Sequence, residues 1–336
     1  MAGGESFYRA RSWSRRSALS FLATGAVSAC AAPAPQPLAN GGDLNRDGLR
    51  LTFSDDFDGP FNRFDRYAGK NVLDGSLAGW RTFYPYDPHP DGVTSRTLPG
   101  NGEWQWYIDD AWLAKYGNAE TTAMKPHEVV NSTLRMNAYP IPSSLQNIPG
   151  NRIDKQKYFS AMISSRDWFT QMDGVFEARM LLPSGKGMWP AFWLIAPNPT
   201  ARDPNAFIEI DIMEAWFSYD YGKVNAHIHD WTSPTKHSDG LSVDLPDAIS
   251  NFHAYAVEIA PDGVRFYIDD KPVWSVPRLS KFIRRYKPTG GFYIIANLAI
   301  GSGLYDPATT WNPPPDPTTE FPQTLQVDWI KVWKRG

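Results

Sequence analysis

Glu209, Asp211 and Glu214 stand close together in an otherwise apolar run, Phe207-Ile208-Glu209-Ile210-Asp211-Ile212-Met213-Glu214-Ala215-Trp216. The first five positions alternate apolar and acidic, the period of a half-buried strand, so Phe207, Glu209 and Asp211 share one face. A regular strand would bring Met213 to that face next. One extra residue, a β-bulge at Ile212-Met213, returns Glu214 to it instead. The two glutamates then start about 13–16 Å apart at Cα, so both long side chains must lean inward to meet over one bond. Three carboxylates crowded on a partly buried face repel one another, a cost that makes sense where it separates their pKa values. A retaining glycosidase needs such a pair, roughly 5–5.5 Å apart, one carboxylate as nucleophile and one carboxyl as general acid and then base. Glu209 is assigned the first role and Glu214 the second. Asp211 between them is expected to orient the nucleophile while its charge raises the pKa of Glu214. Spacing alone also fits a solvated acidic sheet face or a calcium site.

Beyond spacing, Glu209-Ile210-Asp211-Ile212-Met213-Glu214 resembles the catalytic signature of glycoside hydrolase family 16 in its longer, bulged form. Flanking segments agree in order. Gly174-Val175-Phe176-Glu177-Ala178-Arg179 and Gly187-Met188-Trp189-Pro190-Ala191-Phe192-Trp193-Leu194 resemble the two strands that precede the catalytic one. Tyr293-Ile294-Ile295-Ala296-Asn297-Leu298-Ala299-Ile300-Gly301 and Val327-Asp328-Trp329-Ile330-Lys331-Val332-Trp333 resemble its later strands. The resemblance runs from about Leu51 to the C-terminus. It implies an all-β jelly-roll sandwich of two antiparallel sheets with an open concave cleft, and endo-acting, retaining hydrolysis of a β-linked polysaccharide.

Composition supports the architecture independently. After Leu51, short apolar runs are separated by Gly, Pro, Asn and Asp. Pro261-Asp262-Gly263, between two such runs, predicts a hairpin. Helical periodicity is scarce, with short helices expected at 247–252 and 279–285. The connections 80–100, 110–125 and 139–157 are long and polar and are expected to rim the cleft and set substrate choice, while 305–322 reads as another rigid, proline-rich excursion.

Fourteen Trp and fifteen Tyr in 336 residues are by default buried mass. Aromatic residues on the acid face become sugar platforms, and Phe207 is the best placed, although the family commonly carries Trp there. Trp189 and Trp193 share one strand parity and are candidates for the cleft. Trp104 is a candidate from Glu103-Trp104-Gln105-Trp106-Tyr107, where only one parity can face a ligand and the sequence leaves open which. Asn297 joins the substrate-binding set from its strand. His227 and His229 are spaced as a metal pair could be, but no third ligand stands at a convincing sequence spacing, so zinc is disfavoured. The resemblance implies instead a histidine hydrogen-bonding near the acid/base, for which His229 is chosen. Asp328 corresponds to a position that supplies a structural calcium ligand in some family members. No cofactor is required for the chemistry.

At the N-terminus, Ser14-Arg15-Arg16 and the short apolar stretch to Ala29 read as a twin-arginine export signal over 1–29. Val27-Ser28-Ala29-Cys30 resembles a lipoprotein processing site. Cys30, the single cysteine, is then the lipidated residue and membrane tether, and intramolecular disulfides are excluded. Residues 30–50 read as a flexible tether and 51–336 as one catalytic domain. A formal net charge of −3 carries no basic nucleic-acid footprint. The expectation is an exported, monomeric bacterial enzyme on β-1,3 or mixed-linkage glucan. Alternatives are a bacterial exopolysaccharide depolymerase, a transglycosylase and a non-catalytic glycan-binding sandwich.

Overall fold

The computed structural model describes residues 42–146, 153, 155–197, 207–216, 222–231, 237–277 and 291–336. The export signal, Cys30, most of the tether and the helix expected at 279–285 lie outside the described residues.

Two sheets stack face to face. The six-stranded sheet runs in the order His237–Asp244, Lys223–Asp230, Phe207–Glu214, Met188–Pro197, Tyr293–Ile300, Met162–Ser164. The larger sheet runs Lys271–Val276, Gly263–Ile268, His253–Ala260, Gly174–Leu181, Gln323–Arg335, Leu134–Pro140, Tyr158–Ser160, Gln105–Tyr107. Leu49–Asp55 and His127–Val129 pair alongside it. Among the described strands pairing is antiparallel except between Gln105–Tyr107 and Tyr158–Ser160. The expected hairpin forms as His253–Ala260 and Gly263–Ile268, closing at Ala260 opposite Gly263.

Alternation decides which side chains enter the core. Ile208 and Ile210, Phe192 and Leu194, and Ile294, Ala296 and Leu298 point between the sheets. There they meet Phe176, Ala178, Tyr255, Val257, Ile330 and Val332. Burying each of the large aliphatic or Phe side chains among these stabilises by about 1.5–3 kcal/mol, which helps offset the cost of holding acids on the opposite face. All eight residues of Tyr293–Ile300 are buried. Its cleft side is covered too, by Tyr84 and Tyr107 packed against Trp193, Tyr293 and Ile295.

The structure corrects two local expectations. Residues 247–252 form turns rather than a helix, with the Ser250 and Asn251 amides both donating to the Asp247 carbonyl. Strands ending at Asp244 and starting at His253 leave too few residues to repay helix nucleation. Conversely, the connection 110–125 contains the helix Asp110–Tyr116, capped by the Asp109 carboxylate, which accepts from the Trp112 amide. Trp112 is fully buried with Trp106, Ile108 and Phe159, giving this insertion a core of its own. The fully buried Arg96 ties it to insertion 80–100, lying 3.2 Å from Asp109 and 3.7 Å from Asp91. Burial pushes Asp109 up, but the Arg96 charge and the Thr82 hydrogen bond outweigh it and hold the carboxyl at about 2. The wall over the cleft is therefore braced by buried ion pairs. Removing one partner of such a pair is costly because the other charge is left without compensation.

Candidate active site

The acidic strand carries the expected bulge. Against Lys223–Asp230 its register passes from Asp211 opposite His227 to Glu214 opposite Asn225, three positions against two. Against Met188–Pro197 it passes from Asp211 opposite Trp193 to Met213 opposite Phe192. Ile212 and Met213 both pack into the intersheet core, so the parity switches and Glu214 emerges on the acid face. Carboxylate oxygens of Asp211 lie within 4.8 Å of ligand atoms on Glu209 and His229, and likewise of Glu214 and His227. Asp211 thus stands between the two glutamates.

Each acid has its own partners. Glu214 accepts 2.9 Å hydrogen bonds at both oxygens, Oε1 from the Trp189 indole and Oε2 at His227 Nδ1. Glu209 Oε2 accepts from the Trp231 indole at 3.3 Å. His229 Nε2 lies 3.1 Å from Asp211 Oδ2 and 4.0 Å from Glu209 Oε1. That contact with Asp211 makes no hydrogen bond, and Oδ2 is buried without one.

Crowding moves protons as electrostatics requires. Burial, then the Asp211 charge, pushes the Glu209 carboxyl up to about 8, against the pull of His229 and Trp231. Burial and the Glu214 charge hold Asp211 well above the ordinary carboxylate range. Asp211 is short and only 4 % exposed. Burial opposes the charged form of His227, but the hydrogen bond and charge of Glu214 carry its pKa above the usual value.

Two carboxyls held above their unfolded-state values bind protons more tightly when folded, so their stabilising contribution is complete below about 4.5 and lost as pH rises through about 8. The melting temperature of the wild type should fall between pH 5 and pH 8, and Asp211→Asn should flatten that fall. Calorimetry across that range checks this, and an unaltered melting slope would contradict the cluster's electrostatics.

A family model described as glycosyl hydrolases family 16 matches residues 131–331. The chain belongs to this family. It is 29% identical over 258 residues to endo-1,3-1,4-beta-glycanase ExsH of Rhizobium meliloti (strain 1021), covering 77% of this chain and 48% of that protein. It is 29% identical over 262 residues to glucan endo-1,3-beta-glucosidase A1 of Niallia circulans, covering 73% of this chain and 36% of that one. The chain thus spans about half or less of the length of these curated relatives. The laminarinase catalytic domain of Thermotoga maritima MSB8 superposes with a TM-score of 0.60 at 25% identity, over 85% of this chain and 98% of that domain.

Within this family 16 domain, the substrate residues expected from sequence separate into three groups. Phe207 sits half-buried at the end of the acid face, 6.0 Å from the Trp231 ring. Trp189, Trp193 and Asn297 reach the cleft side but serve as its floor. Trp189 is 8 % exposed and spends its N–H on Glu214. The Trp193 N–H donates to Asn297 Oδ1 at 2.6 Å, while Asn297 Nδ2 donates to the Tyr107 hydroxyl at 3.0 Å. Asn297 is therefore corrected from a sugar ligand to a brace. Trp104 is corrected more fully, since it packs against the intersheet core and donates to the Ser302 carbonyl. The opposite parity, represented by Tyr107, serves the cleft side.

His229 is also reassigned. His227 is the histidine on Glu214, and His229 lies beside Asp211 and Glu209. The bulge shifts the pairing by one residue, a register that neither strand's sequence contains. Trp216, His227, His229 and Trp231 form one stacked series with centroids 5.8, 5.8 and 5.3 Å apart. Trp311 from the excursion 305–322 meets both Trp189 and Trp216 edge-on. Trp216, Trp231 and Trp311 were missed by sequence reasoning; Trp216 and Trp231 follow the acidic and histidine motifs directly, which was the available signal.

Asp328 gives calcium a poor fit. Its Oδ2 is taken by Arg179, and a divalent ion on that carboxylate would face the guanidinium charge. No step below passes through calcium.

Proposed function

We propose that the chain is a retaining, endo-acting glycoside hydrolase of β-1,3 or mixed-linkage β-1,3-1,4-glucan. The observation that carries this is the bulge, which returns Glu214 to the face of Glu209 with Asp211 between them. Family membership and the activities for which the relatives are named support the substrate class.

Glu209 attacks the anomeric carbon while Glu214 gives its proton to the departing glycosidic oxygen, leaving a glycosyl ester on Glu209. Glu214, now a base, takes a proton from water as that water attacks the same carbon, and the second displacement restores the starting configuration. Asp211 retains the cluster's shared proton, because it is the acid that water reaches least, so Glu209 is left to ionise. Trp189 and His227 hold both oxygens of Glu214 and fix its direction toward the leaving group. Phe207, Trp231 and the exposed Trp311 are the sugar platforms on this reading. An export signal at 1–29, with lipidation at Cys30, would place the enzyme outside the cytoplasm with its polymer.

The test is a panel of laminarin, mixed-linkage glucan, agar, carrageenan and succinoglycan, with products sized by mass and the first-formed anomer read by proton NMR. Short β-gluco-oligosaccharides released initially as the β anomer are expected. Inverted product would overturn the mechanism, and inactivity throughout would favour a glycan-binding sandwich.

A further inference from the structure

We infer that the Glu209, Asp211 and His229 side of the cluster is a binding site for a borderline-soft divalent cation such as Zn²⁺, which would block the nucleophile reversibly. The chemistry is mixed, with one imidazole nitrogen and two carboxylate oxygens converging within 4.8 Å. Such a donor set suits zinc better than calcium or magnesium, which prefer oxygen alone.

Three independent observations support the site. Asp211 Oδ2 is buried without a hydrogen bond and faces His229 Nε2 at 3.1 Å. A buried carboxyl oxygen with no partner is a costly group that a cation would satisfy by displacing the proton Asp211 otherwise keeps. The spacings also fit. Tetrahedral zinc with bonds of about 2.0–2.2 Å sets neighbouring ligand atoms roughly 3.3–3.6 Å apart, and the His229 Nε2 distances of 3.1 Å to Asp211 and 4.0 Å to Glu209 bracket that range. Finally, His229 Nδ1 sits 2.6 Å from the Ser238 hydroxyl. Donation from Nδ1 to Ser238 selects the tautomer whose Nε2 lone pair faces the acids, the outer support that metal-binding histidines ordinarily have.

The sequence argued against zinc because no third ligand stood near His227 and His229 in the chain. Antiparallel pairing supplies it, setting Glu209 opposite His229 and Asp211 opposite His227. The second group, His227 with Glu214 and Asp211, is the weaker alternative, since His227 Nδ1 is already engaged by Glu214. Three protein ligands leave the fourth zinc position to water. The bound ion would occupy the Glu209 lone pair that attacks the sugar, so binding and turnover exclude each other.

Binding stands apart from the hydrolase proposal; only the inhibition rests on it. Chelator-treated protein is titrated with Zn²⁺ by calorimetry, and Co²⁺ substitution is followed by visible absorption for a tetrahedral spectrum. One ion per chain is expected, insensitive to excess Ca²⁺. His229→Gln should weaken binding at least tenfold. Ser238→Ala should weaken it about tenfold, within the range for loss of such a partner. Inhibition of β-glucan hydrolysis should shift in parallel with Ser238→Ala and reverse on adding chelator. Wild-type affinity in both variants, or loss in His227→Gln alone, would overturn the assignment. Zinc binding without glycan hydrolysis would sink only the hydrolase proposal, and hydrolysis without zinc binding only this one.

Discussion

Glu209→Ala should lower turnover of β-glucan by at least about 10⁴-fold, the scale on which loss of a covalent nucleophile is felt. Folding should survive, because the substitution removes a carboxyl that burial and Asp211 already disfavour in its charged form. Its melting temperature at pH 8 should equal or exceed that of the wild type, where the native carboxyl is hardest to accommodate. The opened space also makes a specific chemical forecast. Azide or formate should restore cleavage of an activated β-glucoside, and azide should leave an α-glycosyl product, since only the first displacement then occurs on the sugar. Undiminished release of reducing ends would remove Glu209 from the mechanism.

Glu214→Gln should divide substrates by leaving group. On polysaccharide, where the departing sugar oxygen needs a proton, the loss should be about 10²–10⁴-fold. With a dinitrophenyl glycoside the leaving group needs no proton, so the first burst of dinitrophenolate should be nearly as fast as in the wild type. The following turnover should be slow, because no base activates water. The glutamine keeps an acceptor for the Trp189 indole, so a uniform loss across substrates would point to misplacement of the side chain rather than loss of acid catalysis. His227→Gln should reproduce part of the polysaccharide defect, since His227 shares Glu214 with Trp189.

The two predictions rest on different kinds of information. That Glu209 and Asp211 share a face follows from alternation within one strand, and the return of Glu214 needed only one inserted residue. Both were legible because strand parity is local. The hairpin at Pro261-Asp262 was legible for the same reason, its turn chemistry being written in adjacent residues. The helix at Asp110–Tyr116 was harder to see. Its seven residues owe their stability to an Asp109 cap and to the burial of Trp112 by residues distant in the chain.

Tertiary structure alone decided which histidine serves which acid. The register between the acidic strand and Lys223–Asp230 is set by packing of the whole sheet. A one-residue bulge exchanges neighbours without altering either segment's composition. It likewise decided that Asn297 is consumed by Trp193 and Tyr107, that Trp104 turns to the core, and that Trp311 arrives from a distant excursion to stand beside Trp189. The sequence by itself pointed to the kind of chemistry only through several segments resembling family 16 in order, because three acids on one strand also fit a solvated sheet face or a calcium site. The fold decided their protonation and partners, because burial and through-space charge depend on neighbours that the order of residues does not contain.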